Sequence, residues 1–291
     1  MRQEYYYLLF SAVLYGSIST VAKPALTNIH PILLSSVVYL IMGLSLLVVN
    51  VLSRNNYSIN AKSFGLIVLV ALFGGTLGPI SYFMGLSLTN ASFASILINA
   101  EFMFTIILAI FILKERVTSF TVGGIICIII GLLTLHLNEL QAFTGFQNQY
   151  LVGNILIVFS TLFWASDNTI SKLILDKGTP ILNLLYLKSL IGGAISLLIV
   201  IFLNISFDIA ILDIPMLLFL SLGGFAGSLF LFMVGLRRVG AIRSVMIFAT
   251  SSFFGLIFAT TVLGERNDML KLGISLGFMF VGIFLITREN A

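Results

Sequence analysis

The chain has 291 residues, 59% of them hydrophobic and 9% charged, with a formal net charge of +4 and a mean hydropathy of +1.14. A soluble domain carries roughly 25% charged residues, so this composition excludes a water-soluble globular protein and points to an integral membrane protein. The basic residues are scattered at the ends of apolar runs instead of forming one patch, so the positive balance gives no argument for nucleic acid.

Apolar runs of about 20 residues, the length that crosses a bilayer core as helix, follow one another with short polar breaks. In chain order they are Tyr6 to Ala25, Ile32 to Leu52, Phe64 to Leu86, Phe93 to Leu113 and Phe120 to Leu137, then Leu151 to Leu175, Ile181 to Leu203, Ile214 to Leu236, Ala241 to Leu263 and Leu270 to Thr287. The expected fold is therefore all-α, with ten transmembrane helices; the weakest division is the short break at Val239-Gly240. The first run is too long for the apolar part of a cleavable signal peptide and is read as a true span. Cys127 is the single cysteine and lies inside the fifth run, so it has no disulfide partner. His30 and His136 stand at run ends, and there is no HExxH and no Cys/His cluster, so neither a metal site nor a cofactor is expected and an enzyme lacks its constellation.

Lys and Arg near helix ends are held on the cytoplasmic side. With both termini inside, Arg2, Arg54, Lys62, Lys114, Arg116, Lys172, Lys177, Arg237, Arg238, Arg243 and Arg288 fall on or near that face, against Lys23, Arg266 and Lys271 on the other. The imbalance predicts an N-in, C-in topology.

The second half repeats the first. Phe10-Ser11-Ala12-Val13-Leu14-Tyr15-Gly16-Ser17, running on to Lys23, is echoed by Phe159-Ser160-Thr161-Leu162-Phe163-Trp164-Ala165-Ser166, running on to Lys172. At an offset of 149, Pro31-Ile32-Leu33 falls on Pro180-Ile181-Leu182, Gly43 on Gly192, and Gly74, Gly75 and Gly78 on Gly223, Gly224 and Gly227. At an offset of 150, Leu113-Lys114-Glu115-Arg116 falls on Leu263-Gly264-Glu265-Arg266. The domains are residues 1–140 and 150–291, joined by a linker at 141–149. Five helices per repeat is an odd number, so the second copy enters the membrane from the opposite side and the copies form inverted repeats around a central cavity.

The run from Ala91 through Ser92, Ala94 and Asn99-Ala100-Glu101 to Leu113-Lys114-Glu115-Arg116 and Gly124, with a looser copy at Gly240-Ala241, Ser244, Gly264-Glu265-Arg266 and Gly273, resembles the drug/metabolite transporter superfamily, EamA type. The resemblance covers essentially the whole chain. It departs from the family pattern where Phe102 and Ser252 replace a common proline, and where Tyr39 and Lys188 stand at a position that often holds arginine. What it implies is export of amino acids or related metabolites; Glu115 and Glu265 match a signature glutamate, read as pairing with Arg116 and Arg266 or capping a turn.

Ionisable groups inside a bilayer cost roughly 2.5–3.5 kcal/mol each on insertion scales, so they mark function or internal pairing. Glu101 lies one turn before Thr105 and its counterpart is Ser251, which breaks the repeat symmetry. It is a candidate for proton uptake or for a cationic substrate group; the competing reading is a buried neutral acid or a pair with Lys188. Asp167 belongs to a polar stripe of Ser160, Trp164, Asp167 and Ser171, with Asn168 beside it. Trp164 and its repeat mate Tyr15 offer substrate-facing rings, or they plug a helix interface. Lys188 joins this set, with snorkelling to the interface as the alternative, and Asn99 and Tyr82 complete the binding or coupling candidates. Lys23 and Lys172 are expected to anchor helix ends.

Gly74, Gly75, Gly78 and Pro79 weaken the third helix, and Gly223, Gly224 and Gly227 weaken the eighth, as gates or through close packing. The expected function is a secondary transporter that moves a small metabolite outward across the cell membrane by alternating access. Its partners are a small-molecule substrate, the lipid bilayer and the coupling proton, with no nucleic acid. A nucleotide-type carrier of the same superfamily and a non-transporting membrane scaffold are the alternatives; substrate identity and oligomeric state are not legible.

Overall fold

The computed structural model describes residues 3–53, 61–114, 118–136, 149–265 and 269–288, and every regular element among them is helical. In chain order the helices are α1 (Gln3–Ala25), α2 (Pro31–Leu52), α3 (Ser63–Leu88), α4 (Ala91–Leu113), α5 (Ser119–His136), α6 (Gln149–Asp176), α7 (Ile181–Phe202), α8 (Ile211–Val239), α9 (Ala241–Val262) and α10 (Met269–Arg288). Over the described residues, α1 to α4 and α6 to α9 are long and apolar enough to cross a membrane. Arg2, Arg54, Glu115, Arg116, Leu137, the linker at 141–148 and Arg266 lie outside the described residues, as do the side chains of Lys62, Lys271 and Arg288.

Local chemistry sets the breaks. His30 is extended and its Nδ1 accepts from the Ile32 backbone N–H at 3.3 Å, while Pro31 opens α2 at a position where no N–H is needed. Gly240 alone separates α8 from α9, with φ 93° and ψ 170°, a conformation that side-chain-bearing residues rarely adopt. The Glu265 carboxylate, after α9, accepts from the backbone N–H groups of Ala91 and Ser92 at 3.1 and 3.0 Å. It is thus a turn cap, and it caps a helix of the other repeat.

Two features recur at matching repeat positions. Both α3 and α8 contain π-helical turns, at Phe73–Leu77 and Phe219–Gly227, and these coincide with the two glycine clusters. Both α4 and α9 are interrupted, between Leu97 and Ala100 and between Phe248 and Ser251. No proline is needed for either interruption, since Phe102 and Ser252 occupy the place where one was expected.

The helices pair across the repeats. α1 packs on α8 and α9, its mate α6 packs on α3 and α4, α2 pairs with α7, and α5 pairs with α10. Lipid tails are as apolar as leucine, so close approach through small residues carries such packing. At one close crossing a Cβ on Gly192 would lie 2.5 Å from the carbonyl carbon of Gly75, and backbone cannot move aside for it. Gly192→Ala should therefore cost about 1–3 kcal/mol of overpacking strain. Gly65→Ala, where nothing lies within 4 Å, should stay within about 0.5 kcal/mol. Thermal unfolding of the two detergent-purified variants measures the difference, and equal losses would refute the packing argument.

Candidate functional site

The interrupted α4 delivers Glu101 to the middle of the molecule, in the first turn of its second segment. Its Oε1 accepts from Asn168 Nδ2 at 2.6 Å. Asn168 belongs to the polar stripe of α6, and so does Asp167, which faces α7: Lys188 Nζ donates to Asp167 Oδ2 at 2.6 Å, and Ser171 Oγ donates to Asp167 Oδ1 at 2.8 Å. Lys188 is 0% exposed. It does not snorkel, and its ion pair is with Asp167 instead of Glu101, which corrects both alternatives weighed from sequence. Among the described residues no basic side chain forms a salt bridge with Glu101.

Asn99 sits in the break itself. Its Nδ2 donates to the Ile96 carbonyl at 3.0 Å, while its Oδ1 is buried with no hydrogen-bond partner. Thr105 Oγ1, one turn beyond Glu101, is likewise buried and unpartnered. Unpaired buried acceptors are uncommon in folded proteins and call for an explanation.

Aromatic rings wall this polar centre. Tyr15 packs edge-on against Trp164, with ring centroids 6.1 Å apart, and Trp164 packs on Tyr82 at 5.3 Å. Three rings that sequence reasoning did not put forward as candidates complete the wall: Phe248, 4.6 Å from Tyr15; Phe225, 6.3 Å from Tyr15; and Tyr39, 5.3 Å from Phe225. Tyr39 carried a usable signal, because it is the repeat mate of Lys188. The phenylalanines carried none among the 26 in the chain.

Two small cavities of about 10 Å³ each meet at Glu101, Tyr15 and Phe248, one also lined by Asn99 and Ser251, the other by Trp164, Asp167 and Asn168. A space of about that volume holds a single water. The glycines of α3 make room for the site: a Cβ on Gly74 would overlap the Asp167 carboxylate, and one on Gly78 would lie 2.7 Å from Trp164 Nε1. Gly75 meets the α7 backbone, and Pro79 follows the π-helical turn. In α8, Gly224 faces Ile18 and Gly227 faces Leu14, both of α1, whereas Gly223 meets Phe219 of its own helix. The two clusters therefore share a backbone form and differ in what they pack against.

The EamA-like transporter family matches residues 3–137 and again residues 151–288. Relatives include an "Uncharacterized transporter" of Methanothermobacter thermautotrophicus, 28% identical over 97% of this chain and 85% of the relative. Another, of Clostridium kluyveri, is 22% identical over 100% and 94%. An Escherichia coli (strain K12) protein named "Probable amino-acid metabolite efflux pump" is 25% identical over 61% of this chain and 56% of its own. A solved crystal structure superposes with a TM-score of 0.77 at 19% identity, covering 99% of this chain and 98% of the other, a likeness of fold. With both of its halves matched in turn, the chain belongs to the EamA-like transporter family and is a multi-pass transporter of the cell membrane.

Proposed function

We propose that this protein is a secondary transporter that exports a small metabolite bearing an amino group, an amino acid or a related compound, with Glu101 exchanging the ammonium for a proton. The observation that carries this reading is the pair of acceptors at the break in α4. Among the described residues Glu101 has Asn168 as its hydrogen-bond donor and no salt-bridge partner, and Asn99 Oδ1 has no donor. The Lys188 charge is already neutralised by Asp167, so the site as a whole offers negative charge and ring faces. An ammonium suits both: it donates to carboxylate and carbonyl together and is attracted to aromatic faces. The name of the Escherichia coli relative supports the amino-acid class.

The mechanism we propose is alternating access by ten membrane crossings in two inverted five-helix repeats, residues 1–140 and 150–291, with both termini cytoplasmic. Cross-repeat helix pairing and the matched helix breaks support it. Cavities of about 10 Å³ suit an occluded centre that must open to admit substrate. The π-helical turns of α3 and α8 are the proposed places of bending.

Loss of one charge-assisted hydrogen bond of about 1.5–3 kcal/mol corresponds to roughly 10- to 100-fold weaker binding. Glu101→Gln should lower proton-gradient-driven flux in proteoliposomes by that factor without lowering the melting temperature. Undiminished flux would remove Glu101 from the coupling role. A thermal-shift screen against amino acids and their decarboxylated amines should stabilise the wild type and not this variant.

The Asp167–Lys188 pair should behave differently. Lys188→Met alone strands a buried carboxylate and should destabilise by about 3–5 kcal/mol. Adding Asp167→Asn should recover most of that loss; a double variant as unstable as the single one would mean that the pair is not the reason for the loss.

A further inference from the structure

At one end of the molecule the turn between α3 and α4 is held by charge from two sides. Lys23, in the last turn of α1, donates to the carbonyls of Leu86 and Thr89 at 2.8 and 2.6 Å, groups at a helix end with no partner further along the helix. Glu265 holds the N–H groups of Ala91 and Ser92 on the far side of the same turn. The repeat predicts the same arrangement at the opposite end, where Lys172 stands for Lys23 and Leu236 to Val239 stand for Leu86 to Thr89. The structure departs from it there. Among the described residues Lys172 donates to Asp176 Oδ1, at 2.7 Å, and to no carbonyl of α8. A cavity of about 490 Å³ opens between Lys172, Asp176, Val239, Gly240 and Arg243. The repeat mate of Asp176 is Thr27, so Lys23 has no neighbouring carboxylate at that position to draw it away.

We propose that Lys23 and Lys172 are reciprocal latches, each closing its end of the transporter by capping the last carbonyls of α3 or α8, and that Asp176 holds the Lys172 latch open. This rests on the alternating-access reading above. In the structure the Lys23 latch is closed and the Lys172 latch is open. In the opposite state Lys172 leaves Asp176 for the carbonyls of Leu236 to Val239, and Lys23 releases α3. Capping suits this task because a lysine near a helix C-terminus gains both hydrogen bonds and the helix dipole, and because no apolar contact has to form or break with it.

The test uses the full chain in membrane vesicles of both orientations, with Cys127→Ser and one reporter. The reporters are Thr20→Cys, at a buried position three residues before Lys23, and Leu173→Cys, which lines the open cavity beside Lys172. Labelling is by a membrane-impermeant methanethiosulfonate. Lys23→Met should raise Thr20→Cys labelling from the Lys23 side about 10-fold, the response to removing roughly 1.4 kcal/mol of bias, and Lys23→Arg should restore it. Asp176→Asn, at a position 51% exposed, should lower Leu173→Cys labelling from the other side several-fold. Labelling within twofold of the parent in Lys23→Met, or unchanged or raised labelling in Asp176→Asn, overturns the latches. Should Lys23→Met fail to accumulate, the Asp176→Asn result decides. Reporters that alternate with added amino acid in the parent but ignore both variants reject the latches alone; reporters that rise and fall together in every case reject alternating access as well.

Discussion

A lysine that neither water nor lipid headgroups reach must be neutralised from within, and the centre of this protein is arranged around that requirement. Asp167 supplies the charge, which ties α6 to α7. The carboxylate needs space, and α3 provides it by carrying Gly74 opposite. The neighbouring Gly75 then lets α3 meet the α7 backbone, so the ion pair, the π-helical turn and this close helix crossing are parts of one arrangement. Ion pairs of this kind add little net stability but are very costly to half-remove. Here the pair also has a chemical effect: with Lys188 occupied, Glu101 has no cation to satisfy it among the described residues.

That division of labour among three ionisable groups was only partly legible in the sequence. Composition and periodicity identify the helices to within a few residues, because membrane spans are set by length and apolarity alone. The repeat is equally plain, and the positions where it fails, Glu101 against Ser251 and Lys188 against Tyr39, lie at the site. Pairing was not legible. Whether Lys188 meets Asp167 or Glu101 depends on how α4, α6 and α7 are placed around one another, which no one-dimensional pattern records. The break in α4 was also hidden, since it occurs without the proline expected for it, and its counterpart in α9 occurs with serine at that position. The aromatic wall was half legible: Trp164 lies on a polar stripe and Tyr15 is its repeat mate, whereas Phe225 and Phe248 look like any other apolar residue of a membrane helix.

Membership of the EamA-like family rests on both halves of the chain, and the site explains what such a scaffold offers chemically. A carboxylate, an unsatisfied amide oxygen and a set of ring faces are enclosed by helices that are discontinuous at the same level. Helices interrupted inside a membrane protein leave backbone groups and polar side chains available without exposing them to lipid. The two repeats thus provide equivalent frameworks, and a few unlike residues give one of them its charge.

The cross-repeat pairing has a consequence for how the chain is made. α1 packs chiefly against α8 and α9, which leave the ribosome long after it, and α6 packs against α3 and α4, which precede it. The first half therefore enters the bilayer with its polar face, including Ser11 and Glu101, lacking most of its final neighbours. Ser11 donates to the carbonyl of Ser228, a partner 217 positions later in the chain. Until the second half arrives, lipid, water or an assisting membrane protein has to shield that face, so the site can be assembled only once α9 has been made and is not a property of either half.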